Sequence, residues 1–309
     1  MGPIRENTEG EQDRQRLYEK SLAYINEVYK AVKQKKTFSP DPGLKLVQEM
    51  IDHSGSIDFL YIWALNKDYK TEPIPNHSVN VAIFSIKLGK SLGLDRQQLT
   101  ELGAAALLHD LGTAYISDEV FYKSGELTFQ ELEHLRQRPK FSYDILAGLD
   151  EKYIYLAEIA LQVYERIDGS GYPSGLEGEE IHPYARIIGL VDIYEALIHS
   201  RPQRDRFLHF SAIKEIIRSG KHKFQKEHLK ALLNIFSIFP LYSYVRLNSG
   251  ALGRVMETHP DSPLRPTLQI VRDSQGRPVL SERIVSLKEN PLLFITDSVL
   301  PEENVEATV

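Results

Sequence analysis

A histidine and an aspartate stand side by side, His109-Asp110, at the end of a stretch that is otherwise apolar and small, Gly103-Ala104-Ala105-Ala106-Leu107-Leu108. Counting back from His109, Ala106, Leu102 and Leu99 recur at helical spacing, which puts the imidazole on the buried stripe of its helix. A carboxylate lodged in a core without a partner is costly. A His-Asp hydrogen bond would be one reason for it. A metal site fed by ligands from elsewhere in the chain would be the other. His77 heads a stripe continued by Val81, Phe84 and Leu88, so it also points inward. Asp192 is a lone carboxylate among Ile188, Val191 and Ala196. The run Asp168-Gly169-Ser170-Gly171-Tyr172-Pro173-Ser174-Gly175 reads as a tight turn after a helix. Tyr172, flanked by glycine and proline, suggests an exposed aromatic contact.

The elements that must position these residues are mostly helical. Residues 11–36 form one helix whose stripe, Tyr18, Leu22, Ile25, Tyr29 and Val32, is heptad-like. Two heptads favour core packing, with a homodimer interface as the alternative. Phe38 to Gly43 breaks the chain before a helix running to about Ile51, and Ser56 caps a third. Thr71 to Asn76 is read as a loop, and His77 as the opening of the next helix. Capping boxes at Asp95–Gln98 and Thr128–Glu131 start further helices, the second continuing through Leu146. Helices over 151–166 and around 185–197 flank the glycine loop, and two amphipathic helices reach Phe239. The period then changes. Tyr244–Leu247 and Leu252–Glu257 read as a hairpin across Asn248-Ser249-Gly250, with strands at Thr267–Val271, Arg283–Leu287 and Leu292–Thr296. Pro301 to Val309 is acidic and reads as disordered.

The chain has 309 residues, a net charge of −6, 42% hydrophobic and 26% charged residues, and no cysteine. That balance argues against a protein built to grip nucleic acid or anionic lipid. The lack of cysteine excludes disulfide scaffolds and thiolate zinc sites. No apolar run reaches membrane-spanning length and the N-terminus lacks a signal h-region, so the expected location is the cytoplasm.

His77, His109-Asp110, the loop from Asp168 to Gly175 and Asp192, taken in order, resemble the HD-GYP family of bacterial metal-dependent phosphohydrolases. Lys123 to Thr128, Arg186 to Leu197 and Ser200-Arg201-Pro202 belong to the same resemblance, which covers about residues 70–240. It implies a mainly α fold: an N-terminal helical segment over 1–70, an HD core over 71–240, and a small β extension over 241–300. It also implies a role in cyclic di-GMP signalling, since family members cleave that dinucleotide with two or three metal ions. By the resemblance His77, His109, Asp110 and Asp192 hold one divalent ion, with Asp110 also catalytic. Two imidazoles and two carboxylates suit iron, manganese or zinc.

The family's remaining ligands are replaced. Its histidine before a proline is here Arg138-Pro139, and its histidine pair ahead of a glutamate is Val163-Tyr164-Glu165. The phosphate-contacting lysine after the His-Asp-x-Gly segment is Thr113. Valine cannot ligate, and arginine is not deprotonated in proteins. The substitutions predict that Arg138 sits where the second cation would lie and pairs with Asp110 in a bidentate fork, while Val163 and Tyr164 fill the vacated volume. The expected cofactor is therefore one divalent ion, or none.

The resulting expectation is a cyclic di-GMP signalling protein with a degenerate active site, weakly active or inactive as a phosphodiesterase. It would serve as a receptor for that or a related nucleotide, or as a module that docks a protein such as a diguanylate cyclase domain. Gly171, Tyr172 and Pro173 form the partner or substrate loop. The alternative is an active phosphohydrolase working with one metal. Neither nucleic acid nor membrane is an expected partner.

Overall fold

Helix α1 (Glu9–Lys33) opens the computed structural model, which describes residues 9–52, 56–66, 73–199, 207–235, 239, 241–259, 261–279 and 281–299. Within α1, Tyr18, Ile25, Tyr29 and Val32 are buried by the rest of the chain, so the heptad-like stripe is consumed in core packing. The chain divides into two units, Met1–Asp205 with His222–His228, and Arg206–Lys221 with Leu229–Val309.

The first unit is helical. After α1 come α2 (Asp41–Asp52), α3 (Ser56–Asn66), α4 (Pro73–Ser91) and α5 (Arg96–Leu108). A 3-10 turn (Leu111–Tyr115) leads to α6 (Asp118–Phe121), α7 (Phe129–Leu135), α8 (Arg138–Ala147), α9 (Ile154–Gln162) and α10 (Pro183–Ile198). The centre of this unit is the pair α4 and α5. From Asn76 through Ile86 every residue of α4 is buried, including polar Asn80 and Ser85. The capping box at the start of α5 is formed as expected: Asp95 accepts from Gln98 N at 2.9 Å, and Gln98 Oε1 accepts from Asp95 N at 2.9 Å. The small residues of α5 admit close neighbours, since a Cβ on Gly103 would stand 2.7 Å from Val47 of α2.

Several boundaries differ from the sequence reading, including the end of α1 at Lys33, the start of α2 at Asp41 and the limits of the strand at Ile284–Ser286. Helix α4 begins at Pro73, not at His77, because Pro73 and Pro75 fall in the first turn, where the missing N–H costs no intrahelical bond. The helix expected from Thr128 through Leu146 breaks after Leu135 and restarts at Arg138, with Pro139 in the new first turn. The helix expected over 151–166 is a 3-10 turn (Glu151–Tyr153) followed by α9, which ends at Gln162. The last strand lies at Ile295–Val299 because Asn248 claims the residues before it. Its Nδ2 donates to Leu292 O at 3.0 Å, and its Oδ1 accepts from Phe294 N at 3.1 Å.

The second unit carries α11 (His209–Gly220), most of α12 (Lys226–Ile235) and a five-stranded antiparallel sheet. The strands β1 (Tyr244–Leu247), β2 (Leu252–Glu257), β3 (Thr267–Arg272), β4 (Ile284–Ser286) and β5 (Ile295–Val299) run in the order β4-β3-β2-β1-β5. The expected hairpin is β1–β2, with Val245 opposite Gly253. Among the described residues no helix is long and apolar enough to cross a membrane. Ser200-Arg201-Pro202 and the tail from Pro301 lie outside the described residues.

Candidate metal centre

Three helices deliver three ligand-type side chains to one point. His77 comes from the second turn of α4, His109 caps the C-terminus of α5, and Asp192 projects from the middle of α10. One ligand atom from each lies within 4.8 Å of the others. Asp192 Oδ1 is 2.9 Å from His77 Nε2 and 3.6 Å from His109 Nε2. His109 is fully buried, and its Nδ1 donates to the Ala106 carbonyl at 2.7 Å. A carbonyl only accepts, so Nδ1 carries a proton, and Nε2 is the ring nitrogen turned toward Asp192. That buried Nε2 has no hydrogen-bond partner. A buried ring nitrogen beside a second imidazole and a carboxylate is a donor set that fits one divalent cation.

The opposite edge of His77 is held by Glu195, one turn beyond Asp192 on the same face of α10. Glu195 is buried, and its Oε2 contacts His77 Nδ1. Its Oε1 accepts from Asn80 Nδ2 at 3.0 Å and faces His199 Nδ1 at 2.9 Å. Tyr18 donates to Asn80 Oδ1 at 2.8 Å, which ties α1 into the same polar seam. Burial alone would push the His77 imidazole down, but Glu195 and Asp192 outweigh it and lift the group to about 9. Burial would raise Asp192 and Glu195. The imidazoles of His109 and His77 hold the first well below the ordinary carboxylate range, and those of His77 and His199 hold the second there. A carboxylate on the far nitrogen of a ligating histidine fixes its tautomer and ring orientation. The sequence reading gave Glu195 and His199 no role. Their spacing from Asp192, three and seven residues along one helix face, was the available signal.

Asp110 is turned the other way. Its Oδ2 is 3.3 Å from Arg138 Nη1, and its Oδ1 accepts from the Tyr164 hydroxyl at 3.2 Å. The expected bidentate fork is thus a single-armed contact. The oxygen a second arm would use is taken by Tyr164, and the guanidinium lies over the Tyr164 ring, 4.8 Å from its centroid. Arg138 Nε is buried with no hydrogen-bond partner. Burial would lower the guanidinium's affinity for its proton, but Tyr164 and Asp110 outweigh it, so Arg138 is held more firmly charged. Val163 is fully buried and Tyr164 nearly so. Gly112 makes this meeting of α8 with the His-Asp turn possible: a Cβ there would stand 2.1 Å from the Arg138 carbonyl oxygen.

The glycine loop packs onto the same group. Glu165, buried, accepts from Ser174 N at 2.7 Å and Leu176 N at 3.1 Å. Tyr172 is half-buried and stacks on Tyr164 with ring centroids 5.3 Å apart. Gly171 and Pro173 flank it, joined to it in a turn whose Tyr172-Pro173 bond is cis. Thr113 is buried in the 3-10 turn. A cavity of about 450 Å³ opens over the cluster, lined by His77, Asp110, Arg138, Asp192 and Lys123 among others.

The HD domain family matches residues 68–227, more than half of the chain, and a KOW domain associated with HD domains matches residues 244–306. A cyclic di-GMP phosphodiesterase of Pseudomonas aeruginosa is 32% identical over 211 residues, 68% of this chain and 51% of its own length. The cyclic di-GMP phosphodiesterase PdeB of Borreliella burgdorferi is 33% identical over 195 residues, 63% of this chain and 51% of its own. The chain thus spans about half the length of these curated relatives. A solved HDG"Y"P protein from Bdellovibrio bacteriovorus shares the fold with a TM-score of 0.59 at 20% identity, covering 75% of this chain and 74% of its own. The chain belongs to the HD domain family.

Proposed function

We propose that this chain binds a cyclic dinucleotide of the cyclic di-GMP class in the cavity over the metal cluster and hydrolyses it slowly or not at all. It then acts as a nucleotide receptor or a protein-docking module. One observation carries the reading: Arg138 and Tyr164 occupy both oxygens of Asp110, the carboxylate that the family resemblance assigns to the metal centre. A fixed guanidinium repels a second cation and already neutralises the carboxylate that would hold it.

A single ion bound by His77, His109 and Asp192 would supply Lewis-acid charge to a phosphate oxygen. The chain's own residues do the rest. Glu195 orients His77, and the Ala106 carbonyl fixes the tautomer of His109. Arg138 places a permanent positive charge at the cavity wall, where it attracts phosphate without lowering the pKa of a water. Losing one metal's electrostatic stabilisation, about 4 kcal/mol, corresponds to about a thousandfold in rate.

The test is turnover of cyclic di-GMP by the full chain with added manganese or iron(II), beside calorimetry with the same dinucleotide. Binding with turnover below about 0.01 s⁻¹ is expected, a thousandfold under the typical enzyme. Turnover above about 1 s⁻¹ would overturn the reading. The unpartnered Nε2 of His109 favours a second reading, a phosphohydrolase working with one ion on another phosphorylated nucleotide. Metal-dependent hydrolysis of a phosphomonoester, abolished in His109→Ala, would select it.

A further inference from the structure

Helix α1 ends well before the part of the chain that matches the HD domain family, which begins at residue 68. It nevertheless buries three hydroxyl side chains, Tyr18, Ser21 and Tyr29. Ser21 is satisfied inside the helix, where its hydroxyl donates to the Leu17 carbonyl at 2.8 Å. The two tyrosines reach outward instead. A buried tyrosine hydroxyl needs an acceptor, and that alone would indicate nothing. The need for an acceptor does not account for the acceptors found, each of which stands beside a ligand-type histidine.

The Tyr18 hydroxyl lies 2.8 Å from Asn80 Oδ1 and 3.3 Å from Asn76 Oδ1. These two buried asparagines flank His77 on α4, one just before it and the other a turn after. Asn80 carries the contact onward: its Nδ2 donates to Glu195 Oε1 at 3.0 Å, and Glu195 Oε2 holds His77 Nδ1. Tyr29 donates at 2.8 Å to the carbonyl of Asp110, the residue after His109. Positions 18 and 29 are separated by close to three whole turns, so both side chains leave α1 on one face, about 16 Å apart along its axis. One straight helix therefore grips both of the separate elements that carry His77 and His109. Metal–ligand distances tolerate errors of only about 0.2 Å, so the placement of α4 against the turn after α5 decides how well the two imidazoles close on an ion.

We infer that α1 is a positioning element of the metal centre, with Tyr18 and Tyr29 as positioning residues that hold His77 and His109 in register from outside the matched HD domain. The inference rests on the reading that His77, His109 and Asp192 bind one ion. By linkage the effect is reciprocal: an ion that binds best with α1 in place also holds α1 in place.

The test is titration of the chelator-stripped full chain with manganese(II), read by calorimetry, and with cobalt(II), read by visible absorption. Tyr18→Phe and Tyr29→Phe each should lower manganese affinity by about threefold or more, somewhat less than the loss of a ligand's direct hydrogen-bond partner. Each should also shift the cobalt absorption bands, which report ligand geometry. Both changes keep the ring and its packing, and circular dichroism checks the fold. Ile25→Val, a change at a fully buried position between the two tyrosines, removes packing alone and should keep the affinity within about twofold. In the parent chain, manganese should slow amide hydrogen exchange in α1 by about threefold or more. A parent chain that takes up no ion would overturn the metal-centre reading and this inference together. Uptake by the parent with unchanged affinity in either tyrosine variant, an equal loss in Ile25→Val, or no slowing of exchange in α1 would overturn this inference alone.

Discussion

Gly112 lies directly against the backbone of Arg138: a Cβ at position 112 would stand 2.1 Å from the Arg138 carbonyl oxygen and 2.7 Å from Ser142 N. The Gly112 N–H in turn donates to Ser142 Oγ at 2.8 Å. Both obstacles to a Cβ are backbone atoms, which a rotamer change cannot move. Gly112→Ala should therefore destabilise the chain by about 2–3 kcal/mol, at the upper end of overpacking costs. Denaturant unfolding measures it, and a variant as stable as the parent would show that α8 does not pack on the His-Asp turn in this way.

Arg138 and Asp110 form a pair with side chains 13% and 4% exposed. Removing one partner of a buried pair leaves an uncompensated charge, so Arg138→Ala should cost about 3–5 kcal/mol. Tyr164→Phe removes one hydrogen bond to the same carboxylate and should cost about 1–2 kcal/mol. In a double-mutant cycle, Arg138→Ala with Asp110→Ala should recover part of the loss, a coupling of about 1–3 kcal/mol. Additive effects would mean that the two groups do not interact.

Metal content should follow the ligand set. The purified chain, reconstituted with manganese or iron(II) and dialysed, is expected to hold one ion, and Asp192→Asn to hold less than about a tenth as much. Replacing Arg138, Val163 and Tyr164 together by histidine should raise the capacity to two ions, because it removes the resident cation and returns imidazoles to its surroundings. Elemental analysis gives the count. Two ions in the parent chain would contradict the blocked second subsite.

The titration of His77 sets a pH dependence in the metal-free protein. Its folded-state pKa is raised from 6.5 to about 9, by Glu195 and Asp192 against the opposing effect of burial. A raised pKa means the folded state binds the proton more tightly. The stabilisation is fully present below pH 6.5 and is lost as pH rises through about 9. At about 1.4 kcal/mol per unit the loss is of order 3 kcal/mol. Urea unfolding of the chelator-treated protein between pH 6 and 10 should follow this course, and stability rising over that interval would refute it. A metal on the Nε2 side of His77 must displace the proton there, so metal affinity should climb over the same interval.

Asp110, Asp192 and His109 show where sequence reasoning suffices and where it stops. Polar residues stranded on apolar helical stripes announced themselves, because leaving such groups unpartnered in a core is expensive. The same periodicity made the helical core and the antiparallel extension legible. Which oxygen of Asp110 met which partner was beyond that kind of reading. It depended on Tyr164 reaching Oδ1 first and on Arg138 lying over the Tyr164 ring.

The order of the motif residues along the chain thus determined the HD family and three side chains that meet, His77, His109 and Asp192. Only the tertiary structure decided that Asp110 faces a guanidinium and that Glu195 and His199 support His77 from behind. The reason is physical. Residue type and period specify what must be buried, whereas hydrogen-bond partners are chosen among atoms brought together from remote parts of the chain, by distances of a few tenths of an ångström that periodicity does not encode.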